Sequence, residues 1–375
     1  MRVVLFMLFL HTVLFSFGQQ KEWSHASLQQ LDQEQFKRLE TGKGDPLEIA
    51  QIIIEQSQVK PSIYLINAFT VAGIVNKNRG YYVSALSYNL KALSVAETLK
   101  DKGRISACLN NIGILYVLQE NYTKAIDYFN RSLKIEEELN QPLQKSIRLF
   151  NLGDCYSALN QFDEALSFYT SSLLLEKKNK NEIGVVYAQL GLAEVYVKTK
   201  RFSDATSLFA DLESKEMDQE AEVIFTKLKG QAALEQKQTT AAIDILKQAE
   251  QLAKKYQFKS ELLENYLFLS EAYQLSGDDH LANRYLLQYI ELNKQLQSNL
   301  VKNQLEDLTY QNALQQKQME IKFLKEQKEL AEKNAQAMKD LRKFDWRIAI
   351  FSLVAMFALI TVVIIGVKRL VSPKV

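Results

Sequence analysis

The sequence predicts an all-α protein, and three observations predict it. Glycine (13 residues) and proline (4) are scarce in a chain of 375, whereas Leu, Ala, Glu, Lys and Gln, which lose least on entering a helix, dominate. A set of small and aromatic residues recurs at a step of forty through the middle of the chain. From Asp278 to Ile365 neither glycine nor proline interrupts what reads as one long helix.

The repeat starts from Leu109, Gly113, Tyr116, Tyr122, Ala125 and Phe129. One step forward gives Leu149, Gly153, Tyr156, Phe162, Ala165 and Tyr169, and the next gives Gln189, Ala193, Tyr196, Phe202, Ala205 and Phe209. One step back gives Phe69, Gly73, Asn76, Tyr82, Ala85 and Asn89. Two weaker copies follow, one with Gly230, Ala242, Leu246 and Ala249, the other with Ser270, Tyr273, Ala282, Leu286 and Tyr289. The logic is steric. A small residue in the first helix and an alanine in the second let two antiparallel helices approach closely, while the aromatics fill the space between neighbouring hairpins. Six hairpins result, over residues 62–296.

This pattern resembles the tetratricopeptide-repeat (TPR) signature, in which an A helix carries Leu, Gly and Tyr and a B helix carries Ala, an aromatic and a small residue. The match is clearest in the second and third copies and weakest in the fifth, and the signature's tryptophan and closing proline are absent. The resemblance implies a right-handed superhelix of antiparallel hairpins. Each unit exceeds the usual length of about thirty-four residues, which predicts longer helices and loops such as Asp101–Arg104, Asn140–Pro142 and Lys180–Glu182. Residues 21–60 hold no clean copy. There Asp45-Pro46 reads as an N-cap followed by a first-turn proline, opening a helix through Ile54 within a degenerate capping hairpin.

The two ends read as targeting and membrane segments. Residues 1–18 have the form of a secretory signal peptide, with an apolar run from Val3 to Phe17 followed by small residues at the cleavage position. Residues 348–367 form a second apolar run, about 30 Å long as a helix and thus long enough to span a bilayer. Trp346-Arg347 and Lys368-Arg369 flank it as headgroup anchors, and residues 368–375 would be a short tail. Two rules disagree about orientation. The signal would leave the repeats outside and the tail in the cytoplasm, while Lys339, Arg342, Lys343 and Arg347 before the span favour the reverse. The signal is given precedence, since otherwise the N-terminal run has no role. The expected location is a bacterial inner membrane crossed once, with the repeats in the periplasm.

Residues 297–345 link the repeats to the span. Leu300, Leu314, Ile321, Leu324, Ala331, Ala335 and Met338 occupy the a and d positions of one heptad register, which would make a homodimeric coiled coil. Asp307, Lys317, Lys328, Arg342 and Asp345 share that seam, so a single charged spacer helix is the alternative.

The search for chemistry returns little. Lys plus Arg (46) nearly balances Asp plus Glu (44), and a formal charge of +2 gives no footprint for nucleic acid. Cys108 and Cys155 fall at different places in their repeats and read as small buried hydrophobes rather than a disulfide framework. Beyond the signal only His25 and His280 remain, without metal-ligand spacing, and no glycine-rich phosphate loop occurs. No enzyme, cofactor or metal is indicated.

By analogy with TPR proteins that bind extended peptides, the A helices should line a concave wall that binds a protein or peptide. The second repeat would contribute Asn110, Asn111, Ile114 and Val117, the third Phe150, Asn151, Asp154 and Ser157, and the fourth Tyr187, Leu190 and Glu194. Asn111 and Asn151 hold equivalent positions, where an amide can bond a guest backbone or serve the hairpin itself. The order of signal, repeats, coil and span resembles the sensor half of membrane regulators common in Bacteroidetes. Those usually continue into a histidine kinase or a helix-turn-helix DNA-binding domain, and only Lys368–Val375 follow here. The resemblance implies a sensor or scaffold read by a separate signalling partner, or the input portion of a truncated regulator. A cytoplasmic tail-anchored adaptor is the remaining class.

Overall fold

Among the described residues, 25–57 and 60–371 of a computed structural model, the chain forms fourteen helices and divides into two units, one ending at Leu308 and the other beginning at Thr309. The expected signal peptide lies outside the described residues, as does the tail beyond Val371. A first hairpin, α1 (His25–Thr41) and α2 (Pro46–Ser57), precedes the repeats. The repeats are α3–α4 (Ile63–Asn78, Tyr82–Leu99), α5–α6 (Lys102–Val117, Tyr122–Leu139), α7–α8 (Pro142–Ala158, Phe162–Asn179), α9–α10 (Glu182–Lys198, Phe202–Leu212) and α11–α12 (Gln219–Glu235, Thr239–Tyr256). The sixth pairs α13 (Lys259–Ser276) with the start of α14 (Asp279–Val371).

The extra length of each unit goes into helix rather than loop. Helices α5, α7 and α9 begin at Lys102, Pro142 and Glu182, inside the segments expected to be loops. What makes such tight connections feasible is a left-handed residue at nearly every one. Lys100, Glu120, Asn140, Asn160, Lys180 and Lys200, one every twenty residues, have φ between 52° and 61°. At Lys100 the chain turns so that its own N–H donates to Glu97 O and that of Asp101 to Ala96 O, both at 3.0 Å, which satisfies carbonyls left open at the end of α4. A side chain with a Cβ strains this conformation where glycine does not. Lys100→Gly and Lys180→Gly are therefore each expected to stabilise the array by about 0.5–1 kcal/mol, read as a higher Tm; an unchanged or lower Tm would refute it.

The alanine column is the seam of the array. Ala85, Ala125, Ala165 and Ala242 are fully buried, Ala205 is 1% exposed and Ala282 is 7% exposed. The small column serves the rings. A Cβ on Gly113 would lie 2.5 Å from the Phe129 ring, and one on Gly153 or Gly191 would lie 2.6 Å from Tyr169, closer than packing permits. Both cysteines are buried and free.

A polar ladder, which the apolar columns did not reveal, repeats at the same step. Ser106 donates to Glu136 and Ser146 to Glu176, while Ser132 and Ser172 donate to the carbonyls of Ser106 and Ser146 at 3.0 and 2.9 Å. These groups are buried, so their pairing lowers the penalty for polar atoms at the hairpin interface, with Glu136 Oε2 left without a hydrogen-bond partner among the described residues.

Before the repeats, Asp45 caps α2 through Leu47 N at 3.0 Å, and Ala50 and Ile53 of α2 join Ile66 and Phe69 of α3 in one core, with Leu28, Leu31 and Phe36 of α1 against it. At the other end of the first unit, α14 reaches back to the first repeat. The Asp307 carboxylate is fully buried and accepts from Val83 N at 2.8 Å, from Ser84 N at 3.0 Å and from the Ser84 hydroxyl. Tyr81 donates to Glu306 at 2.7 Å. Gly80, with φ 78°, completes the turn, and Asn303 sits where its Cβ would be. Helix α4 has no side-chain cap of its own from Tyr81, and Asp307 supplies one from far along the sequence. A charge that looked awkward in a coiled-coil seam thus has a different place, against repeat 1.

In the second unit α14 continues to Val371. It contains a window of mean hydropathy 3.0 with none of it buried, within Lys322–Val367, long and apolar enough to cross a membrane.

Candidate functional site

Which side of the array is concave follows from helix contacts. The backbones of successive A helices approach closely, α3 with α5, α5 with α7, α7 with α9, α9 with α11 and α11 with α13, whereas among the described residues the backbones of successive B helices stay further apart and meet through long side chains such as Tyr285, whose hydroxyl donates to Glu250 at 3.2 Å. The A helices are therefore crowded on the inner side of the curve and the B helices splay on the outer side. The inner wall is the candidate site.

Along it the expected residues separate into groups. Asn111, Ile114 and Val117 of α5 remain partly exposed, as do Phe150, Asn151 and Asp154 of α7 and Tyr187 and Glu194 of α9. Asn110, Ser157 and Leu190 are instead buried, at 9%, 5% and 3% exposure, because the close approach of successive A helices covers them. The two equivalent asparagines differ in their surroundings. Asn151 Nδ2 donates to Asn110 Oδ1 at 3.0 Å and so ties α7 to α5, whereas Asn111 faces a pocket between α3, α4 and α5. Phe150 and Tyr187 stand edge to face at 6.4 Å, an aromatic strip across two repeats, and the Tyr187 hydroxyl donates to Asp218 at 3.1 Å.

Asp154 is the electrostatic centre of the wall. Burial raises its pKa from 3.8 to about 7, opposed by the Tyr169 hydroxyl, which donates to Oδ1 at 2.6 Å; the Glu194 charge raises it further and Lys198 lowers it. Glu194 is itself paired with Lys198 at 2.5 Å. Because the folded pKa lies above the unfolded one, the unfolded chain holds fewer protons between about pH 4 and pH 7, and stability falls as pH rises through that window. Asp154→Asn removes the titration and keeps an acceptor for Tyr169. The variant is expected to be about 1–2 kcal/mol more stable than the parent at pH 8 and equal to it near pH 4. Urea midpoints at the two pH values check this, and an identical pH dependence in the two proteins would contradict it.

Composition alone did not single out other groups on this wall. Arg104 donates to Asn67 Oδ1, whose amide donates to Asp32 of α1 at 2.9 Å, joining the first hairpin to two repeats. Lys227 is buried between Glu261 and Glu264. Asn89 is the most informative of these, since it stands in the column held by Phe129, Tyr169 and Phe209 and is polar there. That break in the column was its sequence signal. Among the described residues no group of three or more His, Cys, Asp or Glu side chains could hold a metal.

An all-α array of stacked hairpins with an inner wall of exposed aromatic and amide groups defines a superhelical repeat protein. Tetratricopeptide-repeat profiles match residues 65–138 and 149–182, and the chain carries tetratricopeptide repeats. No curated protein matches the sequence. Among solved structures, the apo form of RapI superposes with TM-score 0.60 at 16% identity, covering 72% of this chain and 99% of that one. A Rap protein complexed with Competence and Sporulation Factor gives 0.55 at 14% identity, covering 72% and 74%. A tetratricopeptide-repeat protein from Parabacteroides merdae gives 0.53 at 16% identity, covering 75% and 99%. At these identities the likeness shows the fold. The profile matches name a repeat and indicate no catalytic family.

Proposed function

We infer that this chain is a single-pass membrane protein whose repeat array, in the periplasm, binds a protein or extended peptide along the inner wall and serves as a sensor or scaffold. The observation that carries the reading is the continuous run of partly exposed groups over three repeats, Asn111, Ile114, Phe150, Asp154, Tyr187 and Glu194, alternating apolar with hydrogen-bonding character. An extended guest needs such alternation, since its backbone must find polar partners while its side chains find apolar ones. The same fold occurs in a Rap protein solved with a factor bound.

The sensing part of the reading is supported by the continuity of α14. The helix whose Asp307 caps α4 of the first repeat is the one that carries the apolar span. A guest that alters the spacing of the first repeats would act on that cap, and the cap belongs to the membrane helix. Pairing of two copies through residues 297–345 would suit the same role, as would a separate membrane partner that reads the span.

Photo-cross-linking in cells tests the reading. A photoreactive residue at Phe150 or Ile114 is expected to trap a discrete partner, and one at Leu174 on the outer side, which is 70% exposed, is not. Equal trapping at all three sites, or trapping at Leu174 alone, would overturn the groove. Protease added to spheroplasts should digest the repeats; their protection would instead support a cytoplasmic tail-anchored adaptor.

A further inference from the structure

Helices α7 and α9 differ from the other A helices at the start of their inner face. There α7 carries Leu143, Ile147 and Phe150 at successive turns, and α9 carries Ile183 and Tyr187 at the equivalent places forty residues on. Leu143 and Ile147 are each 41% exposed and Ile183 is 61% exposed, while Phe150 and Tyr187 are partly so. Exposed aliphatic residues scattered singly are ordinary, but these adjoin. Residues four and seven apart share one helix face, the step of forty sets Ile183 beside Leu143, and the rings of Phe150 and Tyr187 lie 6.4 Å apart. On α5 the matching positions hold Gly103 and Ala107, which leave the wall low on that side.

On the other side, at α11, the patch meets negative charge. Asp218 accepts from the Tyr187 hydroxyl at 3.1 Å, and burial, Glu220 and Asp218 together hold the pKa of that hydroxyl above its usual value. The lysines of α9 and α11 do not offset these carboxylates, because each is held by a glutamate elsewhere: Lys198 by Glu194, Lys227 by Glu261 and Glu264, and Lys229 by Glu213. Asp218 and Glu220 are in no ion pair among the described residues. An apolar surface bordered by two uncompensated carboxylates is complementary to a segment that is apolar and then basic, and it repels one that is acidic.

We propose that this patch is the docking subsite for a cationic amphipathic segment of the partner polypeptide, with two bulky aliphatic side chains over α7 and α9 followed by an arginine or lysine over Asp218 and Glu220. Helix axes about 8–10 Å apart match residues two to three apart in an extended chain, at about 3.3 Å each. The proposal rests on the groove reading and adds to it the chemistry of the guest.

The test uses the full chain in nanodiscs with isoleucine δ1 methyls labelled, because Ile147 and Ile183 report on the patch directly. The probes are the peptide acetyl-Leu-Ser-Leu-Ser-Arg-amide, its counterpart ending in glutamate, and a counterpart with serine for both leucines. Shifts of both methyls are expected with the first. Affinity should be about tenfold weaker for the glutamate peptide, through like-charge repulsion, and weaker by at least about tenfold for the serine peptide, through lost aliphatic burial. Glu220→Arg, at an exposed position, should remove the preference for arginine over glutamate, and added salt should shrink it. Ile183→Ser should weaken binding read at Ile147, whereas Leu174→Ser on the outer side should not. Equal affinity for the arginine and glutamate peptides, a preference unchanged in Glu220→Arg, or full binding of the serine peptide would overturn the subsite. Concentration-dependent shifts of both methyls without peptide, abolished in Ile183→Ser, would make the occupant a second copy of the chain and overturn it as well. The two readings fail separately. A partner trapped through Phe150 in cells without discrimination among the peptides would leave the groove standing and remove only its assigned chemistry, whereas discrimination without a trapped partner would remove the cellular role and leave the subsite.

Discussion

Replacing Tyr169 by alanine is expected to destabilise the array by about 3–5 kcal/mol, the cost of emptying a large aromatic site in a packed core. Tyr169 is 1% exposed, and its ring lies where side chains on Gly153 and Gly191 would otherwise be, so three helices lose their common contact at once. Phe150, whose ring centre is 5.5 Å away, would lose its support on the groove side. Because repeats are stabilised by their neighbours, a gap between the third and fourth should divide the array into two halves that unfold apart. Tyr169→Phe separates ring from hydroxyl. It keeps the filling and loses one hydrogen bond to Asp154, for about 1 kcal/mol, and the pKa of Asp154 should rise further because the group that opposes its burial is gone. Urea unfolding followed by circular dichroism checks both. A loss below about 1 kcal/mol in Tyr169→Ala would mean that the ring does not hold the repeats together.

Asp307→Ala is expected to cost about 1–3 kcal/mol, the penalty for leaving buried donors without an acceptor. The loss is localised. Val83 N, Ser84 N and the Ser84 hydroxyl all face the carboxylate at the start of α4, where the helix dipole also favours a negative charge. Hydrogen exchange at Val83 and Ser84 should accelerate strongly, while amides in α8 and α9 should keep their protection. Asp307→Asn, which retains an oxygen acceptor without the charge, should fall between the two. Uniform acceleration over all repeats would show that the contact contributes to global stability and is not a local tie between α14 and the first repeat.

How much of this was legible in the sequence depends on the kind of interaction. The alanine and glycine columns were readable because steric contact between stacked hairpins leaves a fixed period, and Ala85 to Ala242 are buried where the period places them. Length and hydropathy sufficed for the apolar helix. The tight connections were missed because Lys100, Lys180 and Lys200 lack the glycine that usually marks a left-handed residue. Of the expected groove residues, Asn110, Ser157 and Leu190 proved buried, since position on a helix face does not say how closely the next helix covers it.

By itself the sequence determined an all-α chain of tetratricopeptide repeats with a C-terminal apolar helix, since helix propensity, a steric period and hydropathy are properties of short segments and need no partner to be read. Only the tertiary structure decided that Asn151 bonds Asn110 while Asn111 faces a pocket, that Asn89 carries an unmatched oxygen, and that Asp307 caps a helix over two hundred residues earlier. Hydrogen bonds between distant segments depend on where the curvature of the array brings them, and that curvature is the sum of many small packing angles that no single stretch of sequence contains.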